Sequence, residues 1–145
     1  MLQDQKHSIG VLQLLEAKSN AAGTLTSKAI PIKDFRALTV SMNYGVFTPN
    51  TATAGVVVTL QESDDVVGAN FTDVDSSKML GSFDGVAVDA SDDQRSEAAG
   101  YCGYKDYVRL KVVVPANATS AVLSADAIIG MADSPVTLPT LVSTT

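Results

Sequence analysis

Cys102 is the only cysteine among the 145 residues and the first candidate for covalent chemistry. It lies between two tyrosines in the stretch GYCGYKDYVRLKVVVP, residues 100–115. A nucleophilic thiolate needs a neighbouring base or a positively charged environment. The only histidine, His7, lies far earlier in the chain, so the sequence supplies no partner for the thiol. We therefore predict a buried or half-buried structural thiol, and we expect Gly103 to form a tight turn beside it.

Clustered carboxylates are the second candidate for chemistry. Most of the 16 acidic residues lie between Glu62 and Glu97, where Lys78 and Arg95 are the only cations, and we expect exposed acidic loops there. Converging carboxylates can hold calcium or hydrolyse glycosides, but the spacing does not match the EF-hand calcium loop and the chain has no tryptophan to bind a sugar. Turn formation by Asp and Ser explains the clusters more simply, so the sequence predicts no catalytic set, no metal site and no cofactor. The clusters are Glu62, Asp64 and Asp65, then Asp73 and Asp75, then Asp89, Asp92 and Asp93.

The charge and hydropathy of the chain limit its partners. The formal net charge is −6 at pH 7, whereas a nucleic-acid surface needs clustered Lys and Arg, so we expect no direct contact with nucleic acid. The longest apolar run, Ala127–Ala132, is far shorter than the roughly 20 residues of a membrane-spanning helix. The first residues also lack the uninterrupted apolar region of a signal peptide. We expect a protein with no membrane partner that stays in the compartment where it is made.

Alternation of apolar and polar residues with a period of two predicts three half-buried strands. The strand that follows the tyrosine-rich stretch is predicted to end at Pro115, which cannot donate to a sheet ladder. The predicted core-facing sets are Leu38, Val40, Met42 and Tyr44; Val56, Val58 and Leu60; and Val108, Leu110, Val112 and Val114.

Shorter patterns and turn signals complete the expected architecture. The first and last of six weaker segments also fit a helical face, and we prefer strands because their neighbours are strands and the connections are short. We predict an all-β fold, an antiparallel β-sandwich or jelly-roll-like single domain at 9–133, with an arm at 1–8 and a second arm at 134–145. The weaker segments are Val11–Ala17, Lys28–Ile32, Asn70–Val74, Gly85–Asp89, Ala98–Cys102 and Ala121–Gly130.

The tyrosine-rich stretch also carries a resemblance to a known family. GYCGYKDYVRLKVVV resembles the Tyr-x-Gly-x-Lys-x-Tyr-Val-Arg strand entry of small structural proteins of tailed bacteriophages, a family of capsid decoration (cement) or auxiliary head proteins. The resemblance covers about positions 30–135, and the loop 82–97 departs from it by being longer and more acidic. The other matching segments are VTLQESDD at 58–65, Asn70–Val74, Leu80–Gly81 and VLSADAIIG at 122–130.

The resemblance implies a structural virion protein, not an enzyme, that binds the outside of a tailed-phage capsid and stabilises it across capsomer joints. Such a protein is made in the cytoplasm of the bacterial host, and its expected partners are the major capsid protein and other copies of itself, as a trimer. A head–tail connector or tail-tube subunit and a calcium-dependent carbohydrate-binding module remain open alternatives, and a hydrolase is the least favoured. The residues that we expect to contact the capsid or another subunit are Val136, Leu138, Leu141, Val142, Arg109 and Lys111.

Overall fold

The structure is a computed structural model, and it describes residues 9–35, 37–48, 55–84, 95–116, 118–130 and 138–144. Its regular elements are β-strands and two 3-10 turns, Gly68–Asn70 and Ser76–Lys78. The fold is therefore all-β, as the sequence predicts. The strands are β1 (Ile9–Asn20), β2 (Gly23–Thr26), β3 (Ile30–Pro31), β4 (Ala37–Thr48), β5 (Val57–Ser63), β6 (Thr72–Asp73), β7 (Met79–Leu80), β8 (Ser96–Tyr101), β9 (Tyr107–Val114) and β10 (Ser120–Gly130).

The strands form two antiparallel sheets. Sheet A has the strand order β1-β10-β4-β8-β7, and sheet B has the order β2-β9-β5-β6, with β3 also paired to β9. The long strands β1, β10 and β4 lie side by side, because β10 pairs with β1 along one edge and with β4 along the other. Buried residues of both sheets belong to one hydrophobic cluster, so the two sheets pack as a β-sandwich.

The three strands with a clear period of two are confirmed, and so are their core faces. Every predicted core-facing residue of these strands is buried. In β9 the buried and half-buried positions alternate without exception, from Tyr107 to Val114. Pro115 follows directly, as expected for a residue that cannot donate to the ladder.

The weaker segments that the structure describes contain strands and no α-helix. Lys28–Ile32 and Asn70–Val74 each hold only a two-residue strand, β3 and β6, and Asn70 belongs to a 3-10 turn. The first and last become β1 and β10, which pair along most of their lengths. Segment 85–89 lies outside the described residues. Two short strands, β2 and β7, were missed because four and two residues are too short for a period to be visible.

The expected exposed acidic residues are found at Asp64, Asp65, Asp73, Asp75 and Asp84, but the end of β5 is an exception. Gln61, Glu62 and Ser63 are all buried, and only 4% of the Glu62 surface is exposed to solvent. Burying a carboxylate is costly unless it is paired and hydrogen-bonded, so its partners must lie in the fold. Those partners come from the tyrosine-rich stretch and from the turn before β7.

Candidate interaction surfaces

Cys102 follows β8 directly and opens the connection to β9. Cys102 is exposed to solvent, which corrects the prediction of a buried or half-buried thiol. The chain turns outward here because Tyr101 points into the core at 7% exposure, and the next residue of a strand faces the opposite side. The cysteine is therefore a surface residue.

Tyr101 anchors this connection to the opposite sheet. Its hydroxyl donates to Oε2 of Glu62 at 2.5 Å, and the Nζ of Lys78 donates to Oε1 of the same carboxylate at 2.5 Å. Burial, followed by the hydrogen bond to Glu62, raises the pKa of Tyr101 above its ordinary value, so the hydroxyl remains a donor at neutral pH. We call Glu62, Tyr101 and Lys78 the inter-sheet triad, because Glu62 belongs to sheet B and Tyr101 to sheet A.

The connection packs closely on the triad. A Cβ atom placed on Gly103 would lie 2.2 Å from the Tyr101 hydroxyl, so the glycine is required by close approach and not by the tight turn that the sequence predicts. The backbone N–H of Lys105 donates to the same hydroxyl at 3.2 Å. The Nζ of Lys105 donates to the Asp64 carboxylate at 2.5 Å, which joins the connection to the end of β5 from outside.

A pocket of about 460 Å³ opens beside the connection. Tyr104 stands on its rim with 95% of its surface exposed, and Leu80 is 70% exposed. The pocket is mostly apolar and lies between the end of β8 and the entry to β4. Its lining residues include Ile32, Phe35, Leu38, Leu80, Cys102 and Tyr104.

The outer side of sheet A is a second candidate surface. We define the A face as the outward residues of β10, β4 and β8 together with Val11 and Gln13 of β1, which form rows across the sheet. One row is Val11, Ile128, Thr39 and Gly100, and the next is Gln13, Asp126, Ser41 and Ala98. Among the described outward residues of β10, β4 and β8, the only charged side chain is Asp126. The A face is thus broad, lined by small side chains and almost neutral.

The outer side of sheet B differs in charge and holds two of the predicted contact residues. Arg109 and Lys111 project from β9, and both are half-buried. Arg109 lies over the ring of Phe71, 4.1 Å from its centroid, and its Nε donates to Gln61 at 2.9 Å. Its two terminal nitrogens donate to the carbonyl of Gly68 and to the hydroxyl of Thr144. Burial lowers the pKa of Arg109 from its ordinary value.

The segment 138–144 lies against the domain in this structure. Ala29 and Val142 exchange two backbone hydrogen bonds of 2.8 and 2.9 Å, and Leu141 packs against the core. Leu138 remains 49% exposed. Val136 and the arm 1–8 lie outside the described residues. That these residues contact a capsid or another subunit stays a prediction, as does the arm boundary.

Within the described residues, no three His, Cys, Asp or Glu side chains come together as a metal-binding group. Within the same residues, no helix is long and apolar enough to cross a membrane. No protein-family model matches this chain, and no curated protein matches it at a significant level. The resemblance to phage head proteins therefore stays a prediction based on the quoted segments.

Proposed function

We propose that this chain is a structural virion protein that binds the outside of a tailed-phage capsid and stabilises the shell across capsomer joints. The observation that carries the proposal is the A face, a broad β-sheet surface with one charged side chain in the described parts of three strands. The work of such a protein is contact rather than catalysis. The family resemblance of the tyrosine-rich stretch supports the same role.

The physical argument rests on desolvation. Buried centres of protein interfaces are depleted of charged residues, because an unpaired charge is costly to remove from water. The chain carries a net charge of −6, yet the A face presents threonine, serine, alanine and exposed aliphatic side chains. Val11 and Ile128 add exposed apolar area to one row of it. A second protein surface can approach this face at little electrostatic cost.

Stabilisation of a shell would follow from many such contacts acting together. Each copy adds a modest contact area, and a rigid sandwich transmits that contact from one capsomer to its neighbour. The major capsid protein is the proposed partner, together with other copies of this chain. The proposed trimer rests on the threefold points of shells and not on any residue.

Cosedimentation with capsids that lack this protein tests the proposal. We expect Thr39→Glu, in the centre of the A face, to weaken binding at least tenfold, because it buries a charge. Thr59→Glu is the matched control, since Thr59 is also a half-buried threonine on a sheet, but on the opposite side of the domain beside Lys111. We expect its binding to stay within about twofold of the wild type.

Two results would overturn the proposal in different ways. Equal binding of the two variants would reject the A face as the docking surface. Absence of binding by the wild type would reject the capsid role itself. Cryo-electron microscopy of the complex then gives the location, because a decoration protein is spread over the shell, whereas a connector occupies one vertex.

A further inference from the structure

The surface around Tyr104 combines a projecting aromatic residue with a pocket. Tyr104 and Leu80 have the largest exposed fractions of any large apolar residues in the described parts of the chain, 95% and 70%. Both line the pocket of about 460 Å³. A knob and a hollow on one patch are complementary to the same patch on a second copy turned by 180°.

The pocket suits an aromatic side chain. A volume of about 460 Å³ lies within the range of pockets that bury small organic groups, about 300–1,000 Å³. Ile32, Phe35 and Leu38 give it apolar walls. Tyrosine is one of the residue types that most often dominate binding energy at interfaces, because it buries a large rigid area and keeps a polar tip.

Local charge also favours approach of a second copy. Next to lining residues in the sequence lie the described charged residues Lys33, Asp34, Lys105 and Asp106, two of each sign, of which Lys105 pairs with Asp64. The whole chain carries a net charge of −6, so most of its surface repels another copy. At a twofold contact through this patch, charges of opposite sign can face each other at the rim.

We propose that two copies of this chain pair about a twofold axis, with Tyr104 of each copy seated in the pocket of the other. This pairing is proposed for the protein in solution and does not depend on the capsid role. Each tyrosine buries about 150–250 Å². We therefore expect the whole contact to bury a surface area at or below the lower end for specific interfaces, about 1,200 Å² in total. We expect a reversible dimer that forms at micromolar concentrations.

Sedimentation velocity across a concentration series measures this dimer directly. Tyr104→Ala should raise the dissociation constant at least tenfold, and Leu80→Ser should weaken the dimer in the same direction. Val57→Ser is the matched control, because Val57 is an exposed aliphatic residue (55%) on the other sheet. Circular dichroism of each variant verifies that its fold is intact.

Cys102 supplies a native reporter of the geometry. It lines the pocket, and the proposed geometry requires the two Cys102 residues to lie across the axis within the Cα separation of about 4.4–6.8 Å that a disulfide needs. Mild oxidation should give a disulfide-linked dimer in the wild type and much less of it in Tyr104→Ala.

Three results would overturn the proposal. One is a monomer at every concentration up to several hundred micromolar. Another is an oligomer that Tyr104→Ala and Leu80→Ser leave unchanged. The third is a dimer that needs Tyr104 but does not crosslink through Cys102, because that result places the axis away from the facing pockets.

Discussion

At each end of β8, a glutamate accepts hydrogen bonds from a tyrosine hydroxyl and from a cationic side chain. At its end, Tyr101 donates to Glu62 and Lys78 donates to the other carboxylate oxygen. At its start, Glu97 accepts from the Tyr44 hydroxyl at 2.9 Å and from Arg95 at 2.6 Å. The exposed fractions of the two glutamate side chains are also close, 4% for the first and 7% for the second.

The two triads differ in what they join. Glu97 and Tyr44 belong to neighbouring strands of sheet A, which backbone hydrogen bonds already hold together. The inter-sheet triad joins β5 of sheet B to β8 of sheet A, where no backbone ladder connects the sheets. A glutamate, a tyrosine and a cation therefore reinforce one sheet at the start of β8. At its end, the same combination of groups connects the two sheets. We expect the inter-sheet triad to matter more for stability.

The largest expected effect is from removal of the carboxylates. Glu62→Ala leaves the Tyr101 hydroxyl and Lys78 without their acceptor, and breaking a buried pair in this way costs about 3–5 kcal/mol. Lys78 is 37% exposed and can turn to water, so we expect about 3 kcal/mol for Glu62→Ala. We expect about 2 kcal/mol for Glu97→Ala, because Asp84 also lies 3.8 Å from Arg95. Urea unfolding measures both, and a larger loss for Glu97→Ala would contradict the comparison.

The next effect concerns the glycine that contacts Tyr101. Gly103→Ala places a Cβ 2.2 Å from the Tyr101 hydroxyl, so the ring must move and its bond to Glu62 is disturbed. We expect a loss of about 2 kcal/mol, within the range for overpacking. Gly100→Ala is the control, since its Cβ meets the Cβ of the exposed Leu80 at 3.3 Å and a small shift relieves this contact. We expect less than about 1 kcal/mol for this variant. Thermal unfolding compares the stability of the two variants. Similar midpoints would show that the Tyr101 contact tolerates a methyl group.

Removal of single hydroxyl groups should have a smaller effect. Tyr101→Phe and Tyr44→Phe each delete one hydrogen bond to a carboxylate, worth about 1.5 kcal/mol. Only Tyr101 also accepts the Lys105 N–H, so only its variant should loosen the connection that carries Cys102. We expect faster reaction of Cys102 with a disulfide reagent in Tyr101→Phe and an unchanged rate in Tyr44→Phe. Equal rates would show that the triad does not hold this connection.

Alkaline pH tests both tyrosines together. Burial, then the hydrogen bond to a glutamate, raises the pKa of Tyr44 and of Tyr101 above the ordinary value of 10.0. Above pH 10 the unfolded chain loses these protons while the folded chain keeps them, so stability falls as the pH rises. Each tyrosine should contribute up to about 1.4 kcal/mol per pH unit to this fall. Each Phe variant should show a correspondingly flatter decline, and parallel curves for wild type and both variants would contradict it.

Much of the fold could be predicted from local pattern, and the candidate surfaces could be predicted less well. The alternation in β4, β5 and β9 identified both the strands and their buried faces, because side chains of a strand alternate regardless of its partner. Expectations from residue type, and not the alternation, misassigned Glu62 and Cys102. A carboxylate at the end of a strand indicates exposure, and a lone cysteine indicates burial. Both indications were wrong, because each depends on what the fold places nearby.

The sequence by itself determined that this chain forms an all-β domain, where its clearest strands lie and which of their side chains face the core. These properties follow from short-range periodicity and from the free energy of burying apolar side chains. Only the tertiary structure brought Glu62 to Tyr101, 39 residues away, and to Lys78, 16 residues away. It also placed Tyr104 and Leu80 on one pocket and left the A face almost without charge. These arrangements depend on sheet order and register, because residues far apart in sequence meet only after the strands have paired.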